Sequence, residues 1–196
     1  MYIMITESKV IRLFIENKTP KTIREIAKGI KSDYKITHIA VQRLLKKKVL
    51  LSRTVGKSTL CELNPFYYGI EIYDAENERK GDLLKNRDIL QLYKEVMGKV
   101  KTSFFVSLIF GSYAKGKQTK NSDIDMVFIS NENGFEEKIS NILSLIPLKT
   151  HALVFTEEEF IRMKDSRKSN VVREAMENNI ILYGIESYYK CLMAND

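Results

Sequence analysis

Apolar residues recur at helical spacing three times within the first fifty positions. Val10, Ile11, Phe14 and Ile15 mark a first helix, capped by Thr6 or Ser8 and broken at Thr19-Pro20. Ile23, Ile26, Ala27 and Ile30 predict a second, short helix over 22–30, with Gly29 near its end. A third follows Ser32-Asp33-Tyr34 and runs to about Lys48. Ile36, Ile39, Ala40, Val41, Leu44 and Leu45 are assigned to its apolar side, and Lys35, Thr37, His38, Gln42, Arg43 and Lys46 to its outer face. Residues 49–63 then alternate as a hairpin does, with Gly56-Lys57 at the tip.

Pro65 to Gly69 punctuates the chain, after which Leu83, Leu84, Ile89, Leu90, Leu92, Tyr93, Val96 and Met97 return to intervals of three and four. They predict one helix over 77–98 that packs on a sheet. Residues 103–130 read as an apolar β-prone segment, a Gly-Ser turn, a basic polar loop and a second apolar segment. Residues 135–146 form an amphipathic helical pattern stopped by Pro147, and 148–155 read as a strand. Thr156 opens a helix whose first turn holds Glu157, Glu158 and Glu159, where the helix dipole favours acids. A short strand over 180–183, Gly184 and a helix over 186–193 follow. The expected class is α+β, divided into a domain at 1–64, a linker at 65–82 and a domain at 83–196.

The chemistry concentrates in 103–130. On a strand, side chains alternate between faces, so Asp123 and Asp125 share one face and Ile124 takes the other. Adjacent carboxylates suit a hard cation, and Mg²⁺ is usually held by one or two carboxylates together with substrate phosphates. The Gly111-Ser112 turn can supply the phosphate holder, because glycine lets backbone N–H groups approach an anion and the serine hydroxyl can donate to it. Lys115 and Lys117 add positive charge. Ser122 joins the nucleotide-binding candidates, with a plain turn role as its alternative.

GSYAKG followed by SDIDMVFI resembles the signature of the DNA polymerase β-like nucleotidyltransferase superfamily, nearest to its minimal nucleotidyltransferase branch. The resemblance covers about residues 83–191. It implies a small mixed sheet with helices on one side, an NTP held at Gly111 and Ser112, and Mg²⁺ held by Asp123 and Asp125. It also implies a third carboxylate on the strand 149–155, which has no Asp or Glu; His151 stands at that position as candidate base or metal ligand.

The helix order and basic hairpin at the N-terminus look like a winged helix-turn-helix domain. Charge agrees: positions 1–64 hold 14 Lys and Arg against 5 Asp and Glu, a balance of +9, while the rest hold 18 against 20, a balance of −2. A basic domain joined to a near-neutral one points to nucleic acid as partner of the first. His38, Gln42 and Arg43 are the candidate base contacts on double-stranded DNA. Lys46, Lys47 and Lys48 are candidate phosphate contacts, and Arg53 and Lys57 would sit on the wing. Contact with a protein partner is the blander reading of this region. Homodimerisation stays open, by analogy with winged-helix proteins on paired half-sites.

Composition adds bounds. A length of 196 residues admits one large or two small domains, and 44% hydrophobic with 29% charged residues describes an ordinary globular chain. No apolar run reaches membrane length, and Glu7, Lys9, Arg12 and Glu16 interrupt the first stretch, so neither a membrane span nor a signal peptide is expected and the cytoplasm is the expected location. Cys61 and Cys191 read as reduced core residues, unable to form a zinc site with His38 and His151. Two functions are compatible with these features. One is an enzyme transferring a nucleoside monophosphate from NTP to a hydroxyl; the other is a DNA-binding regulator whose nucleotidyltransferase-like domain senses a nucleotide or dimerises.

Overall fold

The computed structural model describes residues 6–166 and 168–194. The chain divides into two compact units, Met1–Glu78 and Arg79–Asp196; the outermost residues of the two expected domains, 1–5 and 195–196, lie outside the described ones.

The first unit begins with helix α1 (Thr6–Glu16), strand β1 (Lys21–Thr22), helix α2 (Ile23–Gly29) and helix α3 (Tyr34–Lys46). Thr22 starts α2 through a capping box: its hydroxyl accepts from the Glu25 N–H, and the Glu25 carboxylate accepts from the Thr22 N–H at 2.7 Å. Asp33 starts α3 by accepting from the N–H groups of Lys35 and Ile36. Strands β2 (Leu50–Val55) and β3 (Ser58–Leu63) form the expected hairpin, closed by Val55 opposite Ser58 with Gly56 at φ +59° in the loop. Its sheet has the order β1-β3-β2, because Lys21 and Thr22 pair with Cys61 and Leu60. Two residues are too few to show a strand period, so β1 has no sequence signature.

The faces of α3 differ from the expectation. Thr37, Ala40, Val41 and Leu44 are buried, at spacing i, i+3, i+4 and i+7, whereas Ile36 and Ile39 are each 53% exposed. Thr37 tolerates burial because its hydroxyl donates to the Asp33 carbonyl at 2.8 Å, which satisfies it within its own helix. The isoleucines are thereby turned outward. The inner stripe packs in a core that includes Val10, Phe14 and Ile26.

Most of the segment expected as a linker is helical, α4 (Ile70–Leu83), and the division between the units falls inside it. The single helix expected over 77–98 is two, because the Asn86 side chain accepts from the N–H groups of Asp88 and Ile89 and caps a new helix, α5 (Arg87–Lys99).

The second unit is a mixed α+β fold. Its strands are β4 (Val106–Phe110), β5 (Ile124–Ile129), β6 (Thr150–Phe155) and β7 (Asn179–Tyr183), in the order β6-β5-β4-β7. The β4 strand runs antiparallel to β5 and β7, while β5 and β6 are parallel and joined through helix α7 (Phe135–Ser144). A four-residue helix, α6 (Gly111–Ala114), follows β4; α8 (Glu157–Asp165), α9 (Val171–Glu177) and α10 (Ile185–Met193) complete the unit.

Helices cover both faces of this sheet, not one. Ile124, Met126 and Phe128 pack with residues of α5 and α7, whereas Val127 and Ile129 pack with Phe160, Val172 and Tyr188 of α8, α9 and α10. A strand apolar on both sides requires cover on both. Helix α9, capped by Asn170, escaped the sequence reading because seven residues carry little periodicity. Cys61 and Cys191 are buried free thiols, and burial pushes the Cys191 thiol up to about 11. Among the described residues, no helix is long and apolar enough to cross a membrane.

Candidate functional site

Register assembles the site in the second unit. Phe110, the last residue of β4, pairs with Asp125 on β5, and the chain leaves the strand through Gly111 at φ +68°. A Cβ at position 111 would stand 2.4 Å from Asp125 Oδ2. Glycine is therefore required twice here, for a backbone conformation that other residues rarely adopt and for the space the carboxylate occupies. Ser112 follows on α6. The loop beyond folds back on itself, with the Lys117 N–H donating to the Ser112 carbonyl at 2.9 Å and the Lys115 N–H to that of Gly111. The side chains of Lys115 and Lys117 are exposed.

Ser122 adopts its turn role: its hydroxyl accepts from the Thr119 N–H at 2.9 Å and lies 3.2 Å from the Thr119 hydroxyl. Asp123 is exposed just before β5, and Asp125 is half-buried within it. On the other side, β6 places His151 directly opposite Asp125, with His151 Nδ1 3.6 Å from Asp125 Oδ1 and the imidazole 61% exposed. A cleft of about 790 Å³ borders α7 and β6, and Asp123, Lys149 and His151 line it together with apolar Ile139, Leu143 and Val154.

Among the described residues, no group of three or more His, Cys, Asp and Glu could hold a metal ion. The donor chemistry of Asp123 and Asp125 nevertheless fits Mg²⁺ in its usual protein setting, where one or two carboxylates share the ion with substrate phosphates. The glutamates after Thr156 serve the helix start: Glu159 closes a capping box with Thr156, which holds its carboxyl below the ordinary 4.5.

In the first unit, the outward face of α3 carries Lys35, Ile36, Ile39, Gln42, Arg43 and Lys46, all exposed. His38 is half-buried, its ring 6.1 Å from that of Tyr34. Arg43 reaches Glu7 at 3.4 Å. Lys47 is committed within the unit: its ammonium lies 2.9 Å from Glu71 and 3.7 Å from Glu7, and the Glu71 hydrogen bond raises its pKa. The Tyr67 hydroxyl donates to the same Glu71 carboxylate. Lys48, at φ +58° just beyond the helix, is exposed, as are Arg53 and Lys57 on the hairpin. Sequence reasoning missed the exposed Ile36 and Ile39; the signal was available in the complete stripe already formed by Thr37, Ala40, Val41 and Leu44.

Residues 99–188 match the family described as "Polymerase beta, Nucleotidyltransferase". The matched stretch lies in the second unit and contains Gly111, Asp123, Asp125 and His151. It supports placing this unit in the polymerase β-like nucleotidyltransferase superfamily. No curated protein and no solved structure matches the chain.

Proposed function

We propose that the second unit binds an NTP with Mg²⁺ and transfers its nucleoside monophosphate to an acceptor hydroxyl, and that the first unit is a winged helix that binds double-stranded DNA. The observation that carries the nucleotide reading is the fit of Asp125 against Gly111, with His151 opposite it. Asp123 and Asp125 would hold the ion, which when bound neutralises charge on the triphosphate. The backbone at Gly111 and the Ser112 hydroxyl would orient the phosphates, with Lys115 and Lys117 adding positive charge. The acceptor oxygen attacks the α-phosphorus, forming one P–O bond as the bond to the β-phosphate bridge breaks, and pyrophosphate leaves. His151, exposed beside Asp125, is the group assigned to take the acceptor's proton.

One observation favours a second reading. No third carboxylate joins Asp123 and Asp125 among the described residues, as a DNA-bound nucleotide sensor with little turnover would allow. The full chain incubated with Mg²⁺, labelled NTPs and candidate acceptors, beside an Asp123→Ala, Asp125→Ala double variant, separates the two. Label transfer abolished in the variant supports the transferase. Tight Mg-dependent nucleotide binding with no transfer establishes the sensor.

A further inference from the structure

Ile36 and Ile39 are each 53% exposed on the outward face of α3. They lie one helical turn apart and share that face with Lys35, Gln42 and Lys46, also exposed. Along the helix, Lys35 and Lys46 are separated by about 16 Å at 1.5 Å per residue, slightly more than the roughly 12 Å width of the major groove. Cations at that separation can meet phosphates on the two sides of a groove while the isoleucines lie between them.

An apolar pair would be out of place if this face met only phosphates and water. The unit around it, residues 1–78, holds 14 Lys and Arg against 9 Asp and Glu, a balance of +5, so the occupant that complements it is a polyanion. The polyanion whose readable surface also offers apolar groups is duplex DNA containing thymine, because the thymine C5-methyl projects into the major groove and takes apolar contacts. Isoleucine has no hydrogen-bonding atom in its side chain and can therefore distinguish thymine from cytosine or uracil only through that methyl.

We propose that Ile36 and Ile39 are specificity-determining residues that read thymine methyl groups in the major groove, with Gln42 beside them available to an adenine edge. The inference rests on the DNA-binding reading of the first unit and adds to it the base chemistry recognised.

The test selects duplexes from a random library with the full chain, then replaces the thymines of a selected site by deoxyuridine, which removes only the methyl. Expected is a loss of about four-fold in affinity for each contacted thymine, the equivalent of one apolar carbon returned to water. An Ile36→Ala, Ile39→Ala variant, with a good helix former at both exposed positions, should bind thymine and uracil duplexes equally. Equal, salt-sensitive binding of both duplexes by the unaltered chain overturns the methyl readout and leaves the DNA reading intact. Absence of salt-sensitive duplex binding overturns both. Loss of self-association in the alanine variant, with thymine and uracil still equivalent for the parent, overturns the inference by assigning the isoleucines to a contact between copies.

Discussion

Asp125 in the second unit and Lys46 in the first are both charged and both reached by solvent, yet they are held by different physics. Asp125 is fixed by the backbone: its strand pairs on one side with Phe110 and on the other with His151, and its carboxylate fills the space left by Gly111. Lys46 is fixed only by helix phase, its position on α3 following from the inner stripe at Thr37, Ala40, Val41 and Leu44. The lesson is that the proposed nucleotide site should respond steeply to small backbone changes, whereas the basic face should respond gradually to charge.

The most severe way to break this contrast is Gly111→Ala. The substitution imposes a left-handed backbone on alanine, costing about 1–2 kcal/mol, and drives the new methyl into the Asp125 carboxylate. Mg-dependent NTP affinity should fall by at least about ten-fold by titration calorimetry. Unchanged affinity would show that nucleotide contact does not depend on the Gly111–Asp125 fit.

On the basic face, Lys46→Ala and Lys48→Ala should each reduce the salt slope of duplex binding by about one, with affinity falling evenly across sequences. Lys47→Ala should leave the slope unchanged and instead lower the melting temperature slightly, since its ammonium is engaged by Glu71 and Glu7. A Lys47 effect on the slope equal to that of Lys46 would erase the distinction between them.

The smallest effect belongs to a device both units share. Glu25 and Glu159 close capping boxes, and the hydrogen bonds from Thr22 and Thr156 hold both carboxyls below the ordinary 4.5. A depressed folded pKa means that the stabilisation is complete above the unfolded value and disappears as pH falls through the folded one. Glu25→Ala should therefore melt slightly below the parent at neutral pH, and the gap should narrow as pH falls below the ordinary carboxyl range. A gap independent of pH would point to helix propensity, not the ionised cap.

Much of the fold was legible because its signals are local. Hydrophobic period places α1, whose expected cap residues Thr6 and Ser8 lie inside the helix with the Ser8 hydroxyl donating to Glu78; capping residues and period together place α2 and α3, and the alternation around Gly56 places the hairpin. Asp123, Asp125 and the turn at Gly111 stand close enough in sequence to be read together. The pairing of β1 with β3, by contrast, is a long-range bond made by two residues. The outward turn of Ile36 and Ile39 is recorded in the spacing of Thr37, Ala40, Val41 and Leu44, but reading it requires seating a polar threonine, satisfied within its own helix, at an inner position. Cover on both faces of the sheet depends on α8, α9 and α10, whose destination no local pattern records.

The position of His151 has an evolutionary consequence. Its codons and those of aspartate differ in one first-position base. The side chain is mostly in solvent, so a shorter carboxylate there need not disturb packing. One point mutation at position 151 thus exchanges the imidazole beside Asp125 for a carboxylate, so the two functions proposed for this centre lie a single base apart.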